Sequence, residues 1–153
     1  LDPRAGAVLV GVRAPLLAFN LELDARLGVA HAVAAAVRES SGGLPGVQAL
    51  GLELQDGVVQ LSANIVDLEA MTPHVLVERV VAEVESRGGS VGRGELVGLV
   101  PAGSVAAAAL AAGVAEPLDA DALPTLEALE AAAEMLRLEA LSPDRVLEWH
   151  MRA

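Results

Sequence analysis

Between Leu16 and Val100 the spacing of apolar residues switches from every second position to every third or fourth and back again, twice over, and this order of periods narrows the possible folds sharply. In Leu16 to Leu23, Leu17, Phe19, Leu21 and Leu23 fall on one face and Asn20 and Glu22 on the other, the two-residue period of a half-buried strand. Asp24 then stands where it can cap a helix running to about Glu39, in which Val29, Val33 and Val37 recur every four residues beside Ala30 and Ala34. Ser40-Ser41-Gly42-Gly43-Leu44-Pro45-Gly46 interrupts that helix with turn-forming residues. Val47 to Leu54 and Val58 to Val66 read as strands, and the Asp-Gly pair in Gln55-Asp56-Gly57 predicts that they form an antiparallel hairpin. Thr72 and Pro73 have the form of an N-cap and first helical residue, and Val77, Val80, Val81 and Val84 follow at helical spacing before Gly88-Gly89 ends the pattern. Glu95 to Val100 completes the series as a short strand stopped by Pro101.

Strand, helix, strand, strand, helix, strand is the order of a ferredoxin-like βαββαβ unit, an α+β fold with two helices on one face of a four-stranded antiparallel sheet. With 153 residues, of which 54% are hydrophobic and 20% charged, the chain can form one domain with a sizeable core. The expected division is a core over residues 6–101 and a helical extension over 102–153. In the extension, Ala102 to Ala112 reads as a helix, Val114 to Pro124 as a loop, Leu126, Leu129, Ala133 and Leu136 as a further helix, and Ser142-Pro143 as the start of a short last one. Ala7 to Val12 is an apolar run that serves as an extra strand or as a connection.

Charge and composition remove several classes of function. A net charge of −11 repels phosphate backbones, and a single Phe, a single Trp and no Tyr leave no platform for stacking bases, so a nucleic acid is not the expected partner. The absence of cysteine removes thiol catalysis, disulfides and thiolate metal sites, and agrees with a reducing, cytoplasmic setting. Leu96 to Ala115 is long enough to span a bilayer, but Pro101 and three glycines make a strand followed by a helix the better reading, and no membrane partner is expected. No basic stretch followed by an apolar segment and a cleavage site opens the chain, so no secretory signal is expected.

In a ferredoxin-like sheet the first and third strands lie side by side at the centre. Their faces away from the helices carry Asn20 and Glu22 from one and Gln60, Ser62 and Asn64 from the other. Ala49, Gly51 and Gly98 are assigned to the same face on the flanking strands, which would leave room above its centre. Neutral amides around such a space suit a ligand rich in donors and acceptors. An uncovered antiparallel sheet also shows polar residues to water, or to another domain, and the pattern admits all three readings.

The remaining motifs are thinner. Gly6 and Gly11 bracket an apolar run, but no Lys-Ser or Lys-Thr follows, so a phosphate-binding P-loop is absent. His31 lies about 200° around its helix from the buried stripe and is expected at the surface. His74, in the first turn of the second helix, has no Ser or carboxylate motif to make it catalytic and also reads as a surface residue. His150 forms no metal-ligand pattern with the other two, and no metal is expected.

Several segments together resemble the C-terminal subdomain of the glutamate formimidoyltransferase family. They are Gly6-Ala7, Gly11, Arg13 and Pro15-Leu16-Leu17-Ala18-Phe19-Asn20; Arg38-Glu39-Ser40-Ser41-Gly42-Gly43-Leu44-Pro45-Gly46-Val47; Gln60-Leu61-Ser62-Ala63-Asn64 with Asp67; Thr72-Pro73-His74; and Glu95-Leu96-Val97-Gly98-Leu99-Val100-Pro101, in family order and spacing. A weaker likeness returns over Ser142-Pro143-Asp144-Arg145-Val146-Leu147-Glu148-Trp149. The resemblance implies a folate-dependent transferase that moves a formimidoyl group between N-formimidoyl-L-glutamate and tetrahydrofolate, in histidine degradation and one-carbon metabolism. It also implies that folate lies between this subdomain and an N-terminal partner subdomain, in cis or in trans, which supplies the catalytic histidine.

By the same resemblance, the folate-contacting stretch falls on Gly6, Ala7, Val8, Leu9, Val10, Gly11, Val12, Arg13, Ala14 and Pro15, with a further contact at Gly43. Arg13 is the expected partner of the folate glutamate carboxylates, since a guanidinium grips carboxylate through paired hydrogen bonds. Asn20 and Asn64 join them from the residue pattern as hydrogen-bonding groups on the open face. Glu22 must be neutralised if an anionic ligand is to cross that face. No catalytic residue is expected within this chain, and activity is not expected of it alone. Two other readings remain: a free-standing folate-binding or regulatory module, and a structural domain that forms homo-oligomers through its open sheet face.

Overall fold

The structure is a computed structural model that describes residue 4 and residues 6–119 and 121–152. Its elements are β1 (Leu17–Asp24), α1 (Leu27–Val37), β2 (Val47–Glu53), β3 (Val59–Ile65), α2 (Pro73–Glu85), β4 (Ser90–Val97), α3 (Ala102–Ala111) and α4 (Leu126–Met135), with short 3-10 turns at Glu39–Ser41, Pro143–Arg145 and Leu147–Met151. The sheet order is β2-β3-β1-β4, every neighbouring pair antiparallel. This is the α+β, ferredoxin-like arrangement that the periodicity predicts.

Alternation places Leu17, Phe19, Leu21 and Leu23 of β1, with Leu61, Ala63 and Ile65 of β3, under the helices. Ala30, Val33 and Val37 of α1 and Leu76, Val80 and Val84 of α2 close over them. Each large side chain buried in this way contributes about 1.5–3 kcal/mol relative to exposure, so this layer holds the fold. Thr72 and Pro73 begin α2 as expected, although the Thr72 side chain makes no capping bond.

Three local expectations are corrected. Asp24 ends β1 and caps nothing: the N-cap of α1 is Arg26, whose carbonyl accepts from Val29 and Ala30 N–H at 2.8 and 3.3 Å. The helix stops at Val37, two residues early, and a 3-10 turn replaces its last turn. The fourth strand begins at Ser90 instead of Glu95 and ends at Val97, with a register shift opposite Leu21 to Leu23 that sets Gly92 and Arg93 against Glu22. The short last helix does begin at Ser142-Pro143, as a 3-10 turn over Pro143–Arg145 followed by a second over Leu147–Met151.

β2 turns the other way from expectation. Ala49 is buried, and a Cβ on Gly51 would stand 2.5 Å from the Ala30 carbonyl carbon, so both face α1. The open face of β2 is instead built by Gln48, Leu50 and Leu52, opposite Asn64, Ser62 and Gln60 of β3. Gly98 lies just past β4, at φ +88°, and contributes no strand position to that face.

The extension folds back along the outer margin of β4. Gly94 N–H donates to the Arg137 carbonyl at 2.7 Å, Arg137 Nη1 donates to the Val91 carbonyl at 2.9 Å, and Arg145 Nη2 donates to the Leu96 carbonyl. Val100 and Val146 then pair as a parallel bridge, and Glu148 accepts from Ala102 N–H at 2.7 Å at the start of α3. These bonds satisfy strand groups that an edge would otherwise leave open. Residues 7–15 lie outside regular elements, which makes Ala7 to Val12 a connection and not a strand.

Candidate functional site

Across the uncovered face the central strands set Asn20 beside Ser62 and Glu22 beside Gln60, with Asn64 beside Ala18. All six are partly accessible, as expected for a face without helices. The polar cluster inferred from alternation is therefore real.

Two adjoining concavities lie at the corner of this face where β2 begins. One, of about 510 Å³, is bordered by Arg38, Gln48, Leu50, Ser62 and Asn64. The other, of about 440 Å³, is bordered by Arg13, Ala14, Leu16, Gln48, Asn64 and Val66. They share Gln48 and Asn64, so two guanidinium groups flank one pair of amides. Arg38 is steadied by a 2.7 Å bond from its Nε to Ser41 Oγ. An arginine stays charged at every physiological pH, so this corner holds two cations, with the Glu39 carboxylate also on the border of the first concavity, in a chain that is otherwise strongly acidic.

Of the ten residues 6–15, Arg13 and Ala14 are brought to this corner. Val8, Leu9, Val10 and Val12 instead stand in solvent, at 86, 101, 87 and 101% exposure. Gly6 and Gly11 have open space where a side chain would begin. Gly43 has a packing reason of its own: a Cβ there would lie 2.5 Å from the Val37 carbonyl carbon, and its N–H donates to the Arg38 carbonyl at 3.0 Å. It thereby holds the turn that carries Arg38.

Toward β4 the face changes character. Asn20 Nδ2 donates to Glu95 Oε2 at 2.9 Å. Glu22 is neutralised as an anionic ligand would require, with its Oε1 3.0 Å from Arg93 Nη2. Arg38, Gln48, Arg93 and Glu95 are site residues that the sequence reading missed. Arg38 belongs to one of the family-like segments and Glu95 opens another, but the partners of all four depend on strand register and on the turn of β2.

The histidines stay apart. His31 is exposed as expected, and His150 Nε2 lies 2.8 Å from the Asp144 carbonyl. His74 is half-buried, with Nδ1 enclosed and unbonded among the described residues, so it is less of a surface group than expected. Among the described residues no group of three or more His, Asp or Glu side chains could hold a metal ion, and no helix is long and apolar enough to cross a membrane.

Fold and face together define a ferredoxin-like α+β domain whose uncovered sheet surface is polar and charged. Residues 18–141 match the formiminotransferase domain family, and the chain belongs to that family. It is 36% identical over 104 residues to glutamate formimidoyltransferase of Streptococcus pyogenes serotype M1, a match covering 67% of this chain and 35% of that protein. It is 34% identical over 106 residues to formimidoyltransferase-cyclodeaminase of Gallus gallus and 36% identical over 106 residues to that of Sus scrofa, covering 65% of this chain and 20% of each. The matched region thus spans about a third of the streptococcal protein and a fifth of the two animal proteins.

Proposed function

We propose that this chain is the folate-facing C-terminal half of a glutamate formimidoyltransferase. The observation that carries this reading is the pair Arg13 and Arg38 flanking Gln48 and Asn64 on the open face. In this reading residues 1–153 act as one unit, the two arginines take the glutamate carboxylates of tetrahydrofolate, and the amides of Gln48 and Asn64 fix its direction across the sheet. Gly6 to Pro15 and Gly43 form the wall of the folate site. Asn20 lies further along the same face.

The partner is an N-terminal subdomain, in cis or in trans, that closes over the face and brings the catalytic histidine. General-base catalysis needs that group within about 2.6–3.2 Å of the attacking amine, or one water away, and this chain contributes binding and orientation. The donor is a formimidoyl derivative of glutamate, the reaction belongs to histidine degradation and one-carbon metabolism, and the setting is the cytoplasm. The greater length of the relatives supports a further domain in the functional unit.

Calorimetric titration with 5-formyl-tetrahydrofolate, with and without the N-terminal half, tests the reading. Saturable binding strengthened by that half is expected. Arg13→Ala and Arg38→Ala should each weaken it about tenfold, the scale of one charged hydrogen bond. Unchanged affinity in both variants removes the arginine corner as the carboxylate seat, and no binding under either condition overturns the reading.

A further inference from the structure

The carboxylates on the open face are of two kinds. Glu22 is paired with Arg93, whose guanidinium also lies 4.0 Å from Glu139. Glu95, directly across from Asn20, has no ion pair among the described residues. Its one bond there is the amide of Asn20, a neutral donor that orients the carboxylate and leaves its charge in place. The other cations near β4 are engaged elsewhere, Arg137 with the Val91 carbonyl and Arg145 with the Leu96 carbonyl.

The face is therefore bipolar. From the Arg13 and Arg38 corner at Gln48, the register runs through Asn64 and Ala18 to Val97, and Glu95 lies two residues further along β4. Three strand spacings and a two-residue step put cationic corner and free carboxylate about 16 Å apart at the backbone.

We infer that Glu95, oriented by Asn20, is the seat of a planar cation at the opposite end of the ligand from its carboxylates. Resting on the transferase reading above, that cation is the formimidoyl group itself. A formimidoyl group on nitrogen is an amidine, a strong base that is protonated near neutral pH. Its two parallel N–H bonds match a carboxylate edge as a guanidinium does. In the transfer, the carbon–nitrogen bond to the glutamate nitrogen breaks, a bond from the same carbon to the attacking folate amine forms, and the proton lost by that amine ends on the glutamate nitrogen. The transferred unit is an amidine before and after, so a fixed carboxylate can hold it in both states. Glu95 acts here by binding and orientation.

The probe is formamidinium chloride, followed by NMR on the isotopically labelled chain. Saturable shifts of the Glu95 carboxyl carbon and the Asn20 side-chain amide are expected, and the neutral planar acetamide should produce none. Glu95→Gln retains size and an acceptor for Asn20, and should abolish the response. Glu22→Gln, which alters the already paired carboxylate, should leave it intact. With the N-terminal half present, Glu95→Gln should weaken N-formimidoyl-L-glutamate about tenfold and leave 5-formyl-tetrahydrofolate unaffected. No response at Glu95, or unchanged donor affinity, with 5-formyl-tetrahydrofolate still bound, overturns the role of Glu95 and leaves the transferase reading standing. Failure of 5-formyl-tetrahydrofolate to bind in any arrangement overturns that reading, and the role of Glu95 with it.

Discussion

Gly51 decides which side of β2 meets α1. The Ala30 carbonyl carbon would lie 2.5 Å from any Cβ at this position, so the strand must present its smallest residues inward. Leu50 and Leu52 are left on the open face, at 60 and 39% exposure. Gly51→Ala should lower stability by about 1–3 kcal/mol through overpacking, read as a shift in the urea midpoint. Leu50→Ser should change it by less than about 0.5 kcal/mol, and a larger loss there would mean that β2 turns the other way. The same position shows why half of the open face was hidden in the sequence. Strong alternation placed Asn20, Glu22, Gln60, Ser62 and Asn64 correctly because large apolar residues oppose polar ones on those strands. On β2 space outweighs hydrophobicity, and no pattern in one strand reports how closely a helix approaches it.

Among the elements, α2 carries an ionic ladder that makes its stability depend on pH. Glu83 lies between Arg79 and Arg87, one helical turn to either side. The hydrogen bond from Arg87 is the main cause that holds the Glu83 carboxyl below its usual 4.5, and the charges of Arg87 and Arg79 add to it against a smaller opposing effect of burial. A folded value below the unfolded one gives stability that is present above about pH 4.5 and lost as pH falls through the folded value. Solvent screens both pairs, so Glu83→Gln should cost about 0.5–1 kcal/mol at pH 7 and less at about pH 3. Thermal unfolding of both proteins at the two pH values measures this, and a difference independent of pH would remove the ladder as its source. The elements also differ in how well they announce themselves. α2 has a proline at its first position and valines at helical spacing, and was readable almost to the residue. β4 opens with Ser90-Val91-Gly92-Arg93-Gly94, in which two glycines weaken the strand propensity, and is held there by pairing with β1 and by bonds from Arg137 and Arg145. Those partners lie more than forty positions along the chain in sequence separation of 46 and 49, beyond the reach of local pattern.

For the whole molecule, the most unusual property is the exposed apolar run before β1. Val8, Leu9, Val10 and Val12 are almost wholly exposed. An apolar run left in water marks a surface that another structure covers. The amides of residues 8–12 should exchange with solvent at nearly unprotected rates in the isolated chain and become protected when the N-terminal half is added. Protection in the isolated chain would show instead that the run docks on its own domain. The resemblance assigns this run to the folate site, which the apolar pattern of the run by itself does not indicate.

The bonds that Arg137 and Arg145 make along β4 also set an upper limit on growth. On that flank Gly94 N–H and the Val91 and Leu96 carbonyls are already bonded to the extension, whereas β2 ends the sheet with no further strand beyond it among the described residues. A sheet with one terminated flank has a valence of one. Copies that add strand to strand stop at a closed pair, with no second flank from which a fibre could propagate.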